Sequence, residues 1–280
     1  MAVVQAQSAV APFDAIAGRY DESFTNSMVG AAQRASVWKE LEKAFRPGDS
    51  VLEIGCGTGV DACFLAERGV TVVACDSSPQ MLNMAIRRIR ENGRDGSVRP
   101  HLLAAEDITA LRRHSFDGAL SNFGALNCVE DLHQFARDLA ILLKPGATAL
   151  LCWMGPCCVW EIAWYLAQAN PGKAFRRFRR GGVSARLAEG ATVRVYYPSI
   201  GLLRRTFAPE FRLVSFKGIG VAVPPSYVEY WANRFPRLFD LSIRADSLLG
   251  RSPGLRAFAD HILLEFRREN LEFRRENLEV

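Results

Sequence analysis

The sequence has little of what would staple or anchor it. Only seven of its 280 residues are cysteine, an odd number at uneven spacings. That excludes a disulfide-stapled secreted scaffold and points to a reducing compartment. Histidine is scarcer still, at four, and no His/Cys arrangement has zinc-finger spacing, so no metal site is read. The most hydrophobic stretch, Ala147 to Ala169, is broken by Gly155-Pro156 and by Glu161. It falls short of the ~20 apolar residues a spanning helix needs. Residues 2–12 lack a basic n-region and a long apolar core, so no targeting signal is read and the expected location is cytoplasmic.

What is present suits a globular chain: 49% hydrophobic, 23% charged and 10% aromatic residues. Disorder, collagen and coiled coil are thereby excluded for the chain as a whole. The length fits one large domain, or one domain with a sizeable insertion. Charge is uneven. Up to residue 150 there are 15 Lys and Arg against 18 Asp and Glu; beyond it there are 20 against 12. An anionic partner for the second half competes with a general preference for arginine, which outnumbers lysine 30 to five.

Strand and helix patterns alternate through the first half. Ser50–Ile54, Thr71–Cys75, Arg99–Leu103, Phe116–Ser121 and Ala147–Trp153 read as short buried strands. Between them lie the helical patterns Asp61–Arg68, Ser78–Arg90 and Asp131–Leu143, the last stopped by Lys144-Pro145-Gly146. Phe211–Gly218 and Phe258–Phe266 supply a sixth and a seventh strand. The expectation is an α/β fold with a doubly wound, mostly parallel seven-stranded sheet and helical cap insertions. The divisions are 1–49 (lid and helix), 50–154 (core), 155–207 (helical cap), 208–267 (end of the sheet with a second helical insertion) and 268–280 (tail). FRRENLE occurs at 266–272 and again at 273–279. Two copies are too few for a solenoid, and the second is left out of the fold.

The sharpest signal is Val51-Leu-Glu-Ile-Gly-Cys-Gly-Thr-Gly59. An apolar strand runs into Gly55, Gly57 and Gly59, which let the backbone turn tightly and approach a ligand. The next strand leads to Asp76, and a carboxylate at that strand tip can bind a ribose diol. A dinucleotide fingerprint would be G-x-G-x-x-G with pyrophosphate at the helix start. Here Val60 breaks that spacing, and Glu53 would repel a pyrophosphate while favouring a cation. A nicotinamide oxidoreductase is therefore disfavoured, and S-adenosylmethionine, a sulfonium and ammonium carrier without phosphate, fits.

Five ordered blocks across residues 50–153 carry a family resemblance: Glu53–Gly59, Cys75–Leu82, Ala105–Ile108, Phe116–Phe123 and Leu143–Gly146. They resemble the motifs of class I S-adenosylmethionine-dependent methyltransferases. Phe13-Asp-Ala-Ile-Ala-Gly-Arg-Tyr-Asp21 is similar to the start of the small-molecule branch that includes ubiquinone and menaquinone C-methyltransferases. The resemblance implies a Rossmann-like methyltransferase fold with S-adenosylmethionine as cofactor. Gly55, Cys56, Gly57 and Gly59, with Glu53, would hold the methionine moiety, although the Cys56 thiol is assigned no chemistry. Asp76 would bind the ribose. Ser77 and Met81 would flank the adenine. Asp107 would accept from its amino group, with Ile108 packing nearby, and Glu106 is counted among the cofactor-binding residues. Asn122 and Phe123 would stand beside the methyl, under Tyr20 from an N-terminal lid.

Methyl transfer is an in-line displacement that needs a base only if the acceptor must lose a proton. His133, at the start of the helix after strand four, is the candidate. His101, His114 and His261 read as structural or surface residues. Trp160, Trp164, Tyr196 and Tyr197 would line an apolar substrate pocket. The expected reaction moves a methyl group to carbon or oxygen of a hydrophobic or aromatic small molecule. A non-catalytic cofactor-binding module is the alternative. Arsenite methylation, suggested by Cys152, Cys157 and Cys158, is disfavoured for want of a CxxC spacing. Nucleic acid is disfavoured because strand four ends Ser121-Asn122-Phe123-Gly124 rather than N-P-P-[YF]. Lys173–Arg180 (KAFRRFRR) could meet a phosphate or a membrane surface, against the plainer reading of a solvated helix face. The chain is expected as a monomer or homodimer.

Overall fold

The computed structural model describes residues 11–270; the second FRRENLE copy lies outside the described residues. Five strands come first: β1 (Ser50–Ile54), β2 (Thr71–Asp76), β3 (Val98–Leu102), β4 (Phe116–Ser121) and β5 (Leu143–Met154). They pair in parallel. Near the end of the chain β8 (Phe211–Ile219) and β9 (His261–Arg268) complete a seven-stranded sheet, ordered β3-β2-β1-β4-β5-β9-β8. β9 runs antiparallel to both of its neighbours. His261 therefore opposes Met154 and starts at the edge where β1 to β5 end. In an open α/β sheet that carboxyl edge, where the strand order reverses at β1 and β4, is where ligands bind.

Alternation along the strands builds a core on each face. Leu52, Ile54, Val73 and Cys75 face one cluster with Phe135, Trp153 and Phe207. Val51, Val72 and Ala74 face the other, with Leu41, Phe64 and Leu82. Helices α2 (Met28–Ala44), α3 (Val60–Glu67), α4 (Pro79–Glu91) and α5 (Leu132–Leu142) cover the two faces; a short α1 (Ala17–Tyr20) precedes them. Ser78 caps α4 by accepting from the Met81 N–H at 3.1 Å, and Pro79 occupies the tolerated first helical position.

The final strand starts three residues later than its apolar run suggests, because Phe258 lies in a 3-10 turn and is largely exposed. The cap also departs from an all-helical reading. α6 (Val159–Ala167) and α7 (Pro171–Ala174) are followed by a hairpin of β6 (Val183–Ala188) and β7 (Ala191–Val195), and only then by α8 (Ile200–Thr206). The hairpin alternates half-buried and exposed residues. Its apolar positions are filled by Ala, Val and Leu between arginines, so the strand signal is faint. It packs on the Pro12–Ala15 turn of the N-terminal segment. The second insertion carries α9 (Glu229–Arg234) and α10 (Pro236–Leu249). Among the described residues no helix is long and apolar enough to cross a membrane.

Candidate functional site

The loop after β1 turns on three left-handed glycines, Gly55, Gly57 and Gly59, with φ of 70°, 53° and 77°. A Cβ on Gly55 would stand 2.2 Å from the Ala125 Cβ, and one on Gly59 would stand 2.9 Å from that of Ala85. These two are packed on neighbouring elements. At Gly57 a Cβ would meet nothing within 4 Å among the described residues. Of the three glycines, Gly57 alone has open space on its side-chain face. The Cys56 N–H donates to the Cys75 carbonyl at 2.9 Å, tying the loop to β2. Asp76, at the end of β2, accepts from the Gly57 N–H and from the Ser78 N–H, both at 2.8 Å. Its carboxylate clasps the glycine loop to the start of α4. Burial pushes the Asp76 carboxyl up, and those two N–H groups oppose the rise.

Glu53 lies beneath this loop and is fully buried. Its Oε2 has no hydrogen-bond partner among the described residues. Burial pushes its carboxyl well above the ordinary range, Asp61 and Asp76 push it further, and Arg34 opposes them. An unpaired buried carboxylate is costly, and a cationic occupant would relieve it. Beside it Asp61 accepts from Arg34 Nη1 at 2.6 Å, Trp38 Nε1 at 2.6 Å and Asn122 Nδ2 at 3.0 Å. Asn122 in turn accepts the Phe123 N–H at 2.9 Å, and Phe123 adopts a left-handed φ of 46°. The Arg34 guanidinium lies over the Phe123 ring at 4.8 Å, and Phe24 meets that ring edge-on at 4.9 Å. Burial pushes the Tyr20 hydroxyl up; Arg34 opposes this, and Asp61, Asp76 and Asp21 add to it. Tyr20, Glu53, Asp76, Asn122 and Phe123 thus lie near one another around the glycine loop.

The N-terminal segment closes over the loop through two aspartates that the sequence reading did not assign. Asp14 accepts from the Ser78 hydroxyl and from the Gln80 N–H at 3.1 Å. Asp21 accepts from the Thr58 hydroxyl at 2.7 Å and from Arg88 Nη2 at 2.7 Å. Arg88 also reaches the Thr58 carbonyl at 2.7 Å. Both acids lie inside the F-D-x-x-A-x-x-Y-D block, so their signal was present. Arg34 and Asp61 gave none, since one sits mid-helix and the other in a first turn where an acid is ordinary.

Other expected residues are more scattered. Met81 is buried and Ser77 exposed at the start of α4. Glu106 and Asp107 are exposed on the 3-10 turn after β3, whereas Ile108 is buried in the core. Tyr196 is held to the 3-10 turn Ala125–Cys128 after β4, its N–H donating to the Asn127 carbonyl at 2.7 Å. Tyr197 lies under the Arg177 guanidinium at 5.4 Å. Trp160 donates to the Val221 carbonyl at 3.0 Å, and Trp164 is exposed beside Tyr227. His133 stands exposed in the first turn of α5, and among the described residues nothing bonds it to this group.

The basic run is not uniformly solvated. Arg177 is buried, donating to Glu161 Oε2 at 2.8 Å and to Asp260 Oδ1 at 2.7 Å. Arg176 forks onto Glu161 at 2.8 and 3.1 Å, while Arg179 and Arg180 are exposed. Asp260 precedes His261, whose Nδ1 lies 3.3 Å from Asp260 Oδ2 and whose ring meets Phe123 edge-on at 5.4 Å. A buried histidine is thus brought to the carboxyl edge of the sheet. Cys152 and Cys158 are buried thiols pushed up to about 12 by that burial.

The Asp76 carboxylate at a strand tip, the uncrowded backbone at Gly57 and the buried carboxylate of Glu53 are features that S-adenosylmethionine fits. Residues 51–146 match a family described as a methyltransferase domain. A demethylmenaquinone methyltransferase of Clavibacter sepedonicus is 32% identical over 51% of this chain and 56% of its own length. A tRNA 5-carboxymethoxyuridine methyltransferase of Escherichia coli is 27% identical over 50% and 54%. The chain spans little more than half the length of these curated relatives. The CcbJ methyltransferase of Streptomyces caelestis shares the fold, with a TM-score of 0.60 at 18% identity over 94% of this chain and all of that one. Residues 51–146 thus form a methyltransferase domain, and the chain resembles the class I S-adenosylmethionine-dependent methyltransferases, the menaquinone methyltransferases among them.

Proposed function

We propose that the protein moves a methyl group from S-adenosylmethionine to carbon or oxygen of a hydrophobic or aromatic small molecule. The observation that carries this reading is the unpaired Glu53 carboxylate buried under an open, left-handed Gly57 and beside Asp76. When bound, the cofactor supplies a methyl on a positively charged sulfur. The chain's own part is to hold and orient. Asp76 takes the ribose, Glu53 the ammonium, and the 55–59 backbone the methionine chain. The Phe123 and Phe24 rings give an aromatic wall that favours a sulfonium by ~0.5–2 kcal/mol. Aligning acceptor and methyl is worth ~7–11 kcal/mol.

The apolar acceptor is supported by the aromatic pairs of the two insertions, Trp160 with Trp231 and Trp164 with Tyr227. Where the acceptor must lose a proton, His261 with Asp260 is better situated than His133 to take it. A cytoplasmic location accords with seven free cysteines.

The test is incubation of the protein and trideuteromethyl cofactor with a metabolite extract, read by mass spectrometry. A labelled apolar metabolite supports the reading. Label confined to RNA would favour a nucleic-acid acceptor, as in the Escherichia coli relative. Cofactor binding with no labelled product would favour a non-catalytic module.

A further inference from the structure

Helix α10 has two apolar faces, and only one is used. Phe239 and Ile243 pack inward with Val29 and Val223. On the opposite side Leu238, Leu241 and Leu248 recur at helical spacing and are 52%, 60% and 75% exposed. On the adjoining α9 and just beyond it, Tyr230 is 81% and Phe235 43% exposed. Surface leucines scattered singly need no explanation, but an aligned row does.

The charge around the row is one-sided. Arg234, Arg237 and Arg244 are exposed. Of the carboxylates on these two helices, Glu229 is spent on the Met28 and Val29 N–H groups, at 2.7 and 3.0 Å. Asp246 is buried and accepts from the Gly220 and Ala222 N–H groups at 3.2 and 2.8 Å. Asp240 alone faces solvent. A second copy of this chain docking through the same face would set arginines against arginines. An anionic lipid surface would complement them, while the leucines enter the acyl boundary and the rings sit at headgroup depth.

We propose that the α9–α10 face is a peripheral docking surface for an anionic membrane. The leucine row gives depth, and Arg234, Arg237 and Arg244 give charge selectivity at such a surface. Docking needs neither cofactor nor acceptor, so it is read independently of methyl transfer.

The experiment is co-sedimentation of the whole protein with vesicles of phosphatidylcholine alone and of phosphatidylcholine mixed with phosphatidylglycerol. Binding to the mixed vesicles only, weakened by salt, is expected. The double variant Leu241→Glu/Leu248→Glu should bind about tenfold or more weakly, with an unchanged melting temperature because both side chains are exposed. Arg237→Glu/Arg244→Glu should abolish the preference for phosphatidylglycerol. Sedimentation with neither vesicle, or equal binding by the leucine variant, overturns the proposal. So does light scattering that shows a dimer split by the leucine variant without vesicle binding, since a second copy would then own this face.

Discussion

At the scale of single residues, Glu53 is the group most at odds with its surroundings, and its behaviour follows from that. Its folded pKa is raised above the ordinary 4.5. The unfolded chain therefore ionises first, and Glu53 costs stability as pH climbs past that value. Glu53→Gln should raise the melting temperature of the ligand-free protein at neutral pH and leave it unchanged near pH 4. A cation at the site reverses the preference and lowers the pKa, so binding releases a proton. Cofactor affinity should rise with pH up to the pKa of free Glu53, then level off, and Glu53→Gln should flatten the profile. Calorimetric titration across pH checks both limbs.

The glycines separate in a similar way. Gly57→Ala and Gly59→Ala both place a Cβ on left-handed backbone, at ~1–2 kcal/mol each. Only the second also drives that Cβ to 2.9 Å from Ala85. Chemical denaturation should find Gly59→Ala the less stable. Cofactor titration should find that Gly57→Ala folds yet binds poorly, because its methyl fills the open side of the loop.

At the scale of elements, the N-terminal segment is a clamp whose fastening is local and polar. The Asp21–Arg88 pair is about four-fifths covered, with side-chain exposures of 17% and 24%. Asp21→Ala removes that pair and the bond from Thr58, and should weaken cofactor binding by ~1–2 kcal/mol. The loss should appear chiefly as faster release in stopped-flow measurements, because the lid opens more readily. Asp14→Ala should act in the same direction through the start of α4.

This clamp also shows where sequence reading reaches and where it stops. The strands of the parallel half are legible because Val51-Leu52, Val72–Cys75 and Leu150–Cys152 are continuous apolar runs, and burial on both faces demands such runs. Gly55 to Gly59 and Asp76 are legible because their chemistry depends on spacing along the chain. The β6–β7 hairpin is hidden because only one of its faces is half-buried, so its alternation is weak. Arg34 and Asp61 are hidden because their meaning is mutual: 27 residues apart, they matter through a 2.6 Å contact that folding alone creates. His261 reads as ordinary strand until β9 is known to run antiparallel, which carries its first residue to the active edge.

At the scale of the whole molecule, one buried ionic cluster joins the first insertion to the sheet. Arg177, from the insertion, is 5% exposed and bridges Glu161 of α6 to Asp260 at the foot of β9. If it is removed, Glu161 keeps only the partly exposed Arg176 and Asp260 only His261. Arg177→Met should cost ~3–5 kcal/mol in denaturant unfolding, whereas the exposed Arg179→Ala and Arg180→Ala should change stability by less than ~0.5 kcal/mol. Burial acts to raise the Asp260 carboxyl, but His261 and Arg177 outweigh it and hold its pKa well below the ordinary value. Its contribution is therefore present above the unfolded carboxylate value and lost as pH falls, so the wild-type advantage over Arg177→Met should shrink in acid. The same cluster carries Tyr197 and His261, so its loosening should also slow methyl transfer more than it weakens cofactor binding.

Calorimetric titration with S-adenosylhomocysteine goes to the centre of this picture, because it reads the nucleoside site without needing an acceptor. One site per chain is expected, weakened by ~1.5–3 kcal/mol in Asp76→Ala through loss of a charged hydrogen bond. A flat titration for the wild type, or equal affinity in Asp76→Ala, would contradict it.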